Sequence, residues 1–426
     1  MRDSRKQAWR STATALRHSP GLARLTAVRF AGQFGDGLFQ AALGGAILFN
    51  PERHTNPVDI AVGFAVLLLP YSVIGPFAGA LLDRWDRRLV LLWANAARGV
   101  LVASAAAVLL AGGPQLPLML LALAAVGVSR FVLAGVSASL PHVAARSWLV
   151  PVNSVLATAG SVVAAAGAAV AVTTIGAVGA GDTGSGVAVA LGVSGSIVGA
   201  VAAGGFARHA LGPDGARPRS PVRAVLAGLR TGAGAVAEHP GVAAAMLGIG
   251  AHRIVFGLNT LITLLVLRAA ETTSDGSGGL VGFGVAVACT AAGMLVAAVL
   301  TPVLLPRLGR PRTVIMGLIA ATVVQFAFVT PLTIEFLLVA AFLLGLAGQT
   351  IKLTGDAAMQ IEIDDARRGQ VFALQDTVFN LAFLTAIAAS AFVIAPDGHS
   401  PALAVAGGLI YACALAAVLA SRRMRD

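Results

Sequence analysis

The chain has 426 residues, of which 57% are hydrophobic and 12% charged, with a formal net charge of +11. Soluble domains run at about 45–50% apolar and about 25% charged, and so few charges cannot cover the surface of a globular protein of this length. The composition, with a mean hydropathy of +0.85, excludes a soluble globular enzyme and a disordered chain, and it leaves room for about twelve spanning helices of about 20 residues each.

Residues 1–24 read as a basic tail. Arg2, Arg5, Lys6, Arg10 and Arg17 interrupt them without an apolar core, so no cleavable signal peptide is expected. Twelve apolar segments follow, at 25–49, 58–82, 89–112, 114–140, 150–177, 185–206, 241–268, 278–305, 312–331, 333–357, 370–395 and 400–421. Turn residues separate them, among them Asn50-Pro51, Gly113-Pro114, Gly212-Pro213-Asp214-Gly215 and Ala395-Pro396-Asp397-Gly398. The longest polar connection, 207–240, divides the spans six and six, giving bundles at 25–206 and 241–421 and a tail at 422–426. Within the connection Val222, Val225, Leu226 and Leu229 recur at helical spacing, which predicts an interfacial helix. Cys289 and Cys413 both lie in apolar stretches, so neither a disulfide framework nor a metal site is expected.

The basic residues alternate with the spans. With residue 1 in the cytoplasm, 25 Lys and Arg fall on the cytoplasmic side, and only Arg53 and Arg268 fall on the other. Lys and Arg excess marks cytoplasmic loops, so both termini are expected in the cytoplasm. The charge then sets topology and sits near anionic lipid headgroups, and no nucleic-acid partner is expected.

The two halves repeat. Span 2 ends in Asp83-Arg84-Trp85-Asp86-Arg87-Arg88, and span 8 ends in Arg307-Leu308-Gly309-Arg310-Pro311-Arg312. Both are Arg-rich turns at the same place in a six-span unit. Such parallel repeats occur in transporters, with substrate sites near the bilayer midplane. The first turn, with Gly79, Asp83, Arg84, Arg87 and Arg88, resembles the loop 2–3 signature of the major facilitator superfamily, G-x-x-x-D-R-x-G-R-R. Asp86 stands where that signature has its second glycine. The resemblance implies an all-α membrane protein of twelve transmembrane helices in two pseudo-symmetric six-helix bundles. It also implies a conformational gate at Gly79, Asp83, Arg84, Arg87 and Arg88, in which Asp83 meets the start of span 11. The second turn, with Arg307 and Arg310, and Asp376 in span 11 belong to the same expected gate. Two stretches, Arg29–Phe39 and Arg368–Asp376, are similar to bacterial enterobactin-exporter-like proteins. The antiporter signature of span 5, G-x-x-x-G-P-x-x-G-G, is absent; the segment from Gly160 to Ala169 has neither its proline nor its paired glycines.

Ionisable side chains inside spans are costly, about 2.5–3.5 kcal/mol each at the helix centre, and are functional candidates for that reason. Asp36 lies in span 1 between Gly35 and Gly37, with Gln33 and Gln40 nearby. Aligning span 7 on span 1 places Arg253 on Asp36, and a buried Asp36–Arg253 pair is expected. Arg130 sits in span 4, where the family carries an arginine linked to proton coupling. Arg98 in span 3 reads as a residue that snorkels to the helix end. His252 reads as a wall residue beside Arg253. Lys352 and Asp356, four apart, are expected to pair. Asn259 joins Asp36, Arg253, Arg130, Gln33 and Gln40 as a candidate cavity residue.

No H-E-x-x-H, G-x-S-x-G or G-x-x-x-x-G-K-[ST] pattern is present, so the residues for metal chemistry, acyl transfer or nucleotide hydrolysis are missing. Phe34, Phe39, Tyr71, Phe131 and Phe256 favour an apolar or amphipathic substrate over a sugar. The expectation is a secondary transporter in the bacterial cytoplasmic membrane that exports an amphipathic small molecule by alternating access. It needs no cofactor beyond the proton gradient, acts as a monomer, and has only its substrate and lipids as partners. An uptake symporter and a lipid or lysophospholipid translocator are the alternatives.

Overall fold

The computed structural model describes residues 19–48, 57–82, 85–145, 149–179, 181–212, 221–271 and 279–423. These residues form thirteen α-helices and no strand. The first six are α1 (Pro20–Leu48), α2 (Pro57–Leu82), α3 (Arg87–Leu110), α4 (Gln115–Val143), α5 (Leu149–Val178) and α6 (Asp182–Gly204). A shorter helix, α7 (Pro221–Glu238), follows. The last six are α8 (Pro240–Glu271), α9 (Gly279–Leu308), α10 (Arg310–Val324), α11 (Ile334–Glu362), α12 (Asp365–Ala391) and α13 (Pro401–Arg423). Five helices, α1, α2, α7, α8 and α13, begin on proline. Proline suits the first helical position, because its φ is already helical and the missing N–H has no intrahelical partner there.

Among the described residues, ten helices are long and apolar enough to cross a membrane. With α1, where Arg24, Arg29 and Asp36 dilute the apolar run, and α2, they make up the expected twelve spans. The first helix begins at Pro20, inside the segment read as tail.

The chain clusters into two compact units, 1–54 with 66–225, and 55–65 with 226–426. The division falls within α7, and the first turns of α2 group with the second unit. Each unit repeats one packing pattern. In the first, α1 packs on α4, α5 and α6, while α3 packs on α4 and α6. In the second, α8 packs on α11, α12 and α13, while α10 packs on α11 and α13. The six-span repeat inferred from the two Arg-rich turns is therefore a repeat of helix packing.

Without a hydrophobic force between helices in lipid, close packing of small residues holds a bundle together. The crossing of α1 and α6 is an example. A methyl group on Gly195 would stand 3.0 Å from the Cα of Gly35, and one on Gly35 would stand 2.9 Å from the carbonyl oxygen of Gly192. Likewise Gly37 faces the Ala164 carbonyl, and Gly167 faces that of Phe34, where α1 crosses α5. The glycines beside Asp36 are thus where neighbouring helices approach.

In the second unit the last turn of α10 widens into a π-helical turn, Gln325–Val329. Its first residue, Gln325, is fully buried and bonded across the bundle. The amphipathic segment of the central connection forms α7, and its end is clipped to α12: Arg367 Nη1 donates to Glu238 at 2.7 Å and Nη2 to Asp364 at 3.0 Å. Leu226 points outward on α7.

Gly195→Leu should lower the apparent melting temperature of the detergent-purified protein, because overpacking costs about 1–3 kcal/mol. Gly44→Ala, which meets nothing within 4 Å, should leave it unchanged or raise it. Equal melting temperatures for Gly195→Leu and the parent would contradict the close crossing.

Candidate functional site

In the first unit, the ionisable residues of α1, α3 and α4 converge. The Asp36 carboxylate accepts a hydrogen bond from Ser129 Oγ at 2.7 Å, and the same oxygen, Oδ1, lies 3.3 Å from Arg98 Nη2. Arg98 Nη2 also donates to the Gly32 carbonyl at 3.2 Å. Arg98 is 1% exposed, so it does not snorkel. It runs inward past Gly32 and Gly35, whose missing side chains leave its path open; a methyl group on Gly35 would stand 2.6 Å from Arg98 Nη2. Asp36 therefore meets its counter-ion on α3 of its own unit, where the span alignment had put Arg253. Among the described residues, Arg98 Nη1 has no hydrogen-bond partner. A narrow cleft reaches this cluster, lined by Arg29, Gln33, Asp36, Arg98 and Ser129 with Val132 on its apolar side. Gln33 also faces Gly160 of α5. Arg130 follows Ser129 on α4 and is half-buried, as is Gln40 on α1.

In the second unit, α8, α9 and α11 enclose another cleft. Arg253, His252 and Phe256 line it from α8, Thr290 and Met294 from α9, and Gln349 and Lys352 from α11. His252 Nδ1 is 2.8 Å from the Tyr411 hydroxyl, and its ring stacks between Phe256 and Tyr411. Phe256 continues to Phe383, and Phe383 meets Phe64 edge-on. His252 is thus the hydrogen-bonded wall residue that the sequence suggested, seated where Gly348 has no side chain. Lys352 donates to Asp356 at 2.7 Å, the expected pair, and Gln375 donates to the other oxygen of Asp356 at 3.2 Å. Arg253 has no ion-pair partner within 4 Å among the described residues; Asp376 acts on it electrostatically without a bond.

Asn259 belongs to neither cleft. Its side-chain amide exchanges two hydrogen bonds with Gln325, at 2.8 and 3.0 Å, and Gln325 also reaches the Ala404 carbonyl. Such a closed amide pair ties α8 to α10 and α13 and leaves Asn259 little free hydrogen-bonding capacity.

Of the turn residues, Asp83 and Arg84 lie outside the described residues, and Gly79 lies on α2. Arg87 is buried and donates to the carbonyls of Leu82, Ala138 and Leu211, while Arg88 donates to that of Gly204. Both fasten the start of α3 to its own unit. Asp86, where the family signature has glycine, caps α3: its side chain accepts from Arg88 N at 3.0 Å and His209 N at 3.1 Å. In the second turn, Gly309 adopts φ +75, a conformation that favours glycine. Arg310 pairs with Glu362 at 2.8 Å, and Arg307 is exposed.

The sequence reading missed Arg98 and Ser129 as partners of Asp36, and Tyr411 as the partner of His252. The glycines at 32 and 35, on the helix that carries Asp36, were the available signal for a large side chain entering from α3.

Comparison with known proteins settles the family. The Major Facilitator Superfamily model matches residues 29–386. The chain belongs to the major facilitator superfamily. It is 43% identical over 413 residues to MFS-type transporters of Mycobacterium tuberculosis and Mycobacterium bovis, covering 96% of this chain and 91% of each relative; both are described as uncharacterized. Among solved structures it resembles a mutant of the nucleoside transporter NupG, with TM-score 0.69 and 13% identity over 94% of this chain and 99% of that one. The peptide transporter POT in complex with sulfate gives 0.65 and 14%, over 95% of this chain and 94% of that one. At these identities the solved structures show the fold alone. The protein is a multi-pass membrane protein of a transporter family.

Asp86→Ala should lower stability by about 1 kcal/mol, the usual cost of a lost N-cap, while Asp86→Asn keeps most of it. Thermal melting of both variants checks this, and an unchanged Asp86→Ala would remove the capping role.

Proposed function

We propose that this protein is a secondary active transporter that exports an amphipathic small molecule, driven by the proton gradient through alternating access. One observation supports the reading above the others: a carboxylate inside a membrane bundle, Asp36, is held by Arg98 and Ser129 at the end of a cleft. A charge so placed is costly unless it is paired, and intramembrane carboxylates are characteristic of proton relays. Protonating Asp36 cancels its attraction to Arg98 and frees a guanidinium beside Gly32. Protonation then changes which contacts α1 and α3 can make, which is the kind of local event that biases a two-state element.

The export direction follows the similarity of Arg29–Phe39 and Arg368–Asp376 to enterobactin-exporter-like proteins. The aromatic run from Phe64 to Tyr411 is compatible with an amphipathic cargo. The protein works in the bacterial cytoplasmic membrane with both termini in the cytoplasm, as a monomer, and without a cofactor. Asp83, Arg84, Arg307, Arg310 and Asp376 contribute to the gate between conformations.

The test is flux in proteoliposomes with an imposed pH gradient. Wild-type protein should move substrate toward the acidic side, and Asp36→Asn should lose gradient-driven flux while retaining exchange of substrate at equal pH. Flux toward the alkaline side would make the protein a symporter. Gradient-driven flux that survives in Asp36→Asn would remove Asp36 from coupling.

A further inference from the structure

We infer that the cleft between α8, α9 and α11 is an anion subsite, so that the exported molecule carries a carboxylate, sulfonate or similar group on an apolar body. This inference rests on the transporter reading above and names its substrate class. Its basis is the charge of the cleft wall. The ionic side chains that line the cleft are Arg253 and Lys352, both cations, and no acidic residue lines it.

The nearby carboxylates compensate Lys352 and leave Arg253 as the cation without an ion pair among the described residues. Asp356 has both oxygens engaged, one by Lys352 and one by Gln375. Asp376 lies outside the lining and forms no ion pair with Arg253 within 4 Å. The Arg253 guanidinium therefore keeps its donors for a guest. A planar guanidinium binds a carboxylate through two parallel hydrogen bonds, which gives both charge and orientation. Thr290 and Gln349 stand beside it as neutral polar groups, and the ring of Phe256, backed by His252, supplies an apolar wall.

The dimensions suit a small anionic head. The cleft encloses about 40 Å³, whereas one water-sized group needs about 10–15 Å³. That is room for the head of a ligand, with its apolar body lying outside along Phe256 and Met294. A cationic head would stand against the Arg253 guanidinium, while Lys352 is already answered by Asp356, in a medium of low dielectric where like charges repel strongly.

The experiment is equilibrium binding of three probes that share a naphthalene body and a small planar or ammonium head to the purified full chain in detergent, with no pH gradient: naphthoate, naphthamide and naphthyltrimethylammonium. Naphthoate should bind saturably and most tightly. Arg253→Gln should weaken it by about tenfold or more, as expected when a bidentate charge-assisted pair is lost. Arg253→Lys should recover part of that loss, and Lys352→Gln should weaken naphthoate less than Arg253→Gln does. Thermal melting of each variant identifies any that has unfolded, and the ranking of the three probes on the parent protein needs no variant. Naphthyltrimethylammonium binding as tightly as naphthoate, or no saturable naphthoate binding, overturns the inference. So does unchanged naphthoate binding by folded Arg253→Gln. These outcomes leave proton coupling at Asp36 to be decided by flux, so the two readings fail separately.

Discussion

A guanidinium kept from both water and lipid must have its charge answered by something fixed beside it. Arg98 is in that position, 1% exposed, with Asp36 and the Gly32 carbonyl as its partners. Taking one partner from a buried ion pair costs about 3–5 kcal/mol, because the other charge is stranded. The pair thus constrains α1 and α3 far more than apolar contact does in a bilayer, where lipid tails are as apolar as leucine. Ser129 adds the fourth helix to the same carboxylate. Three helices of the first unit are thereby bound to one titratable oxygen.

The glycines make this arrangement possible. Gly32 and Gly35 open the path for Arg98, and Gly192 and Gly195 bring α6 against α1 at the same level. The second unit repeats the helix packing with different chemistry. Its charged cleft is walled by Arg253, which has no ion-pair partner within 4 Å among the described residues, and by Lys352, and its histidine is held by a tyrosine. The two units are alike in scaffold and unlike in site. The first holds a carboxylate paired with an arginine, and the second presents positive charge.

The spans were legible in the sequence because a membrane demands long apolar helices, and turn residues and arginines mark where they end. The pairing of Lys352 with Asp356 was legible because residues four apart on a helix meet whatever the fold does. Arg98 was misread because its position along α3 suggested an escape to the interface. What fixes it is the absence of side chains on a different helix, which no local pattern states. Asn259 was read as a cavity residue for the same kind of reason. Its partner, Gln325, is 66 residues away and lies in a π-helical turn that periodicity does not reveal. Asp86, which stands where the family signature has glycine, is the cap of α3, a role that the signature alone does not state.

The pairing of Asp36 with Arg98 is most directly tested by a double-mutant cycle read by thermal unfolding in detergent or nanodiscs. Asp36→Asn and Arg98→Met should each destabilise the protein strongly, and the double variant should recover much of the loss, because no stranded charge is left. Additive losses, with the double variant as unstable as the two single changes together, would show that the two side chains do not answer each other in the folded protein.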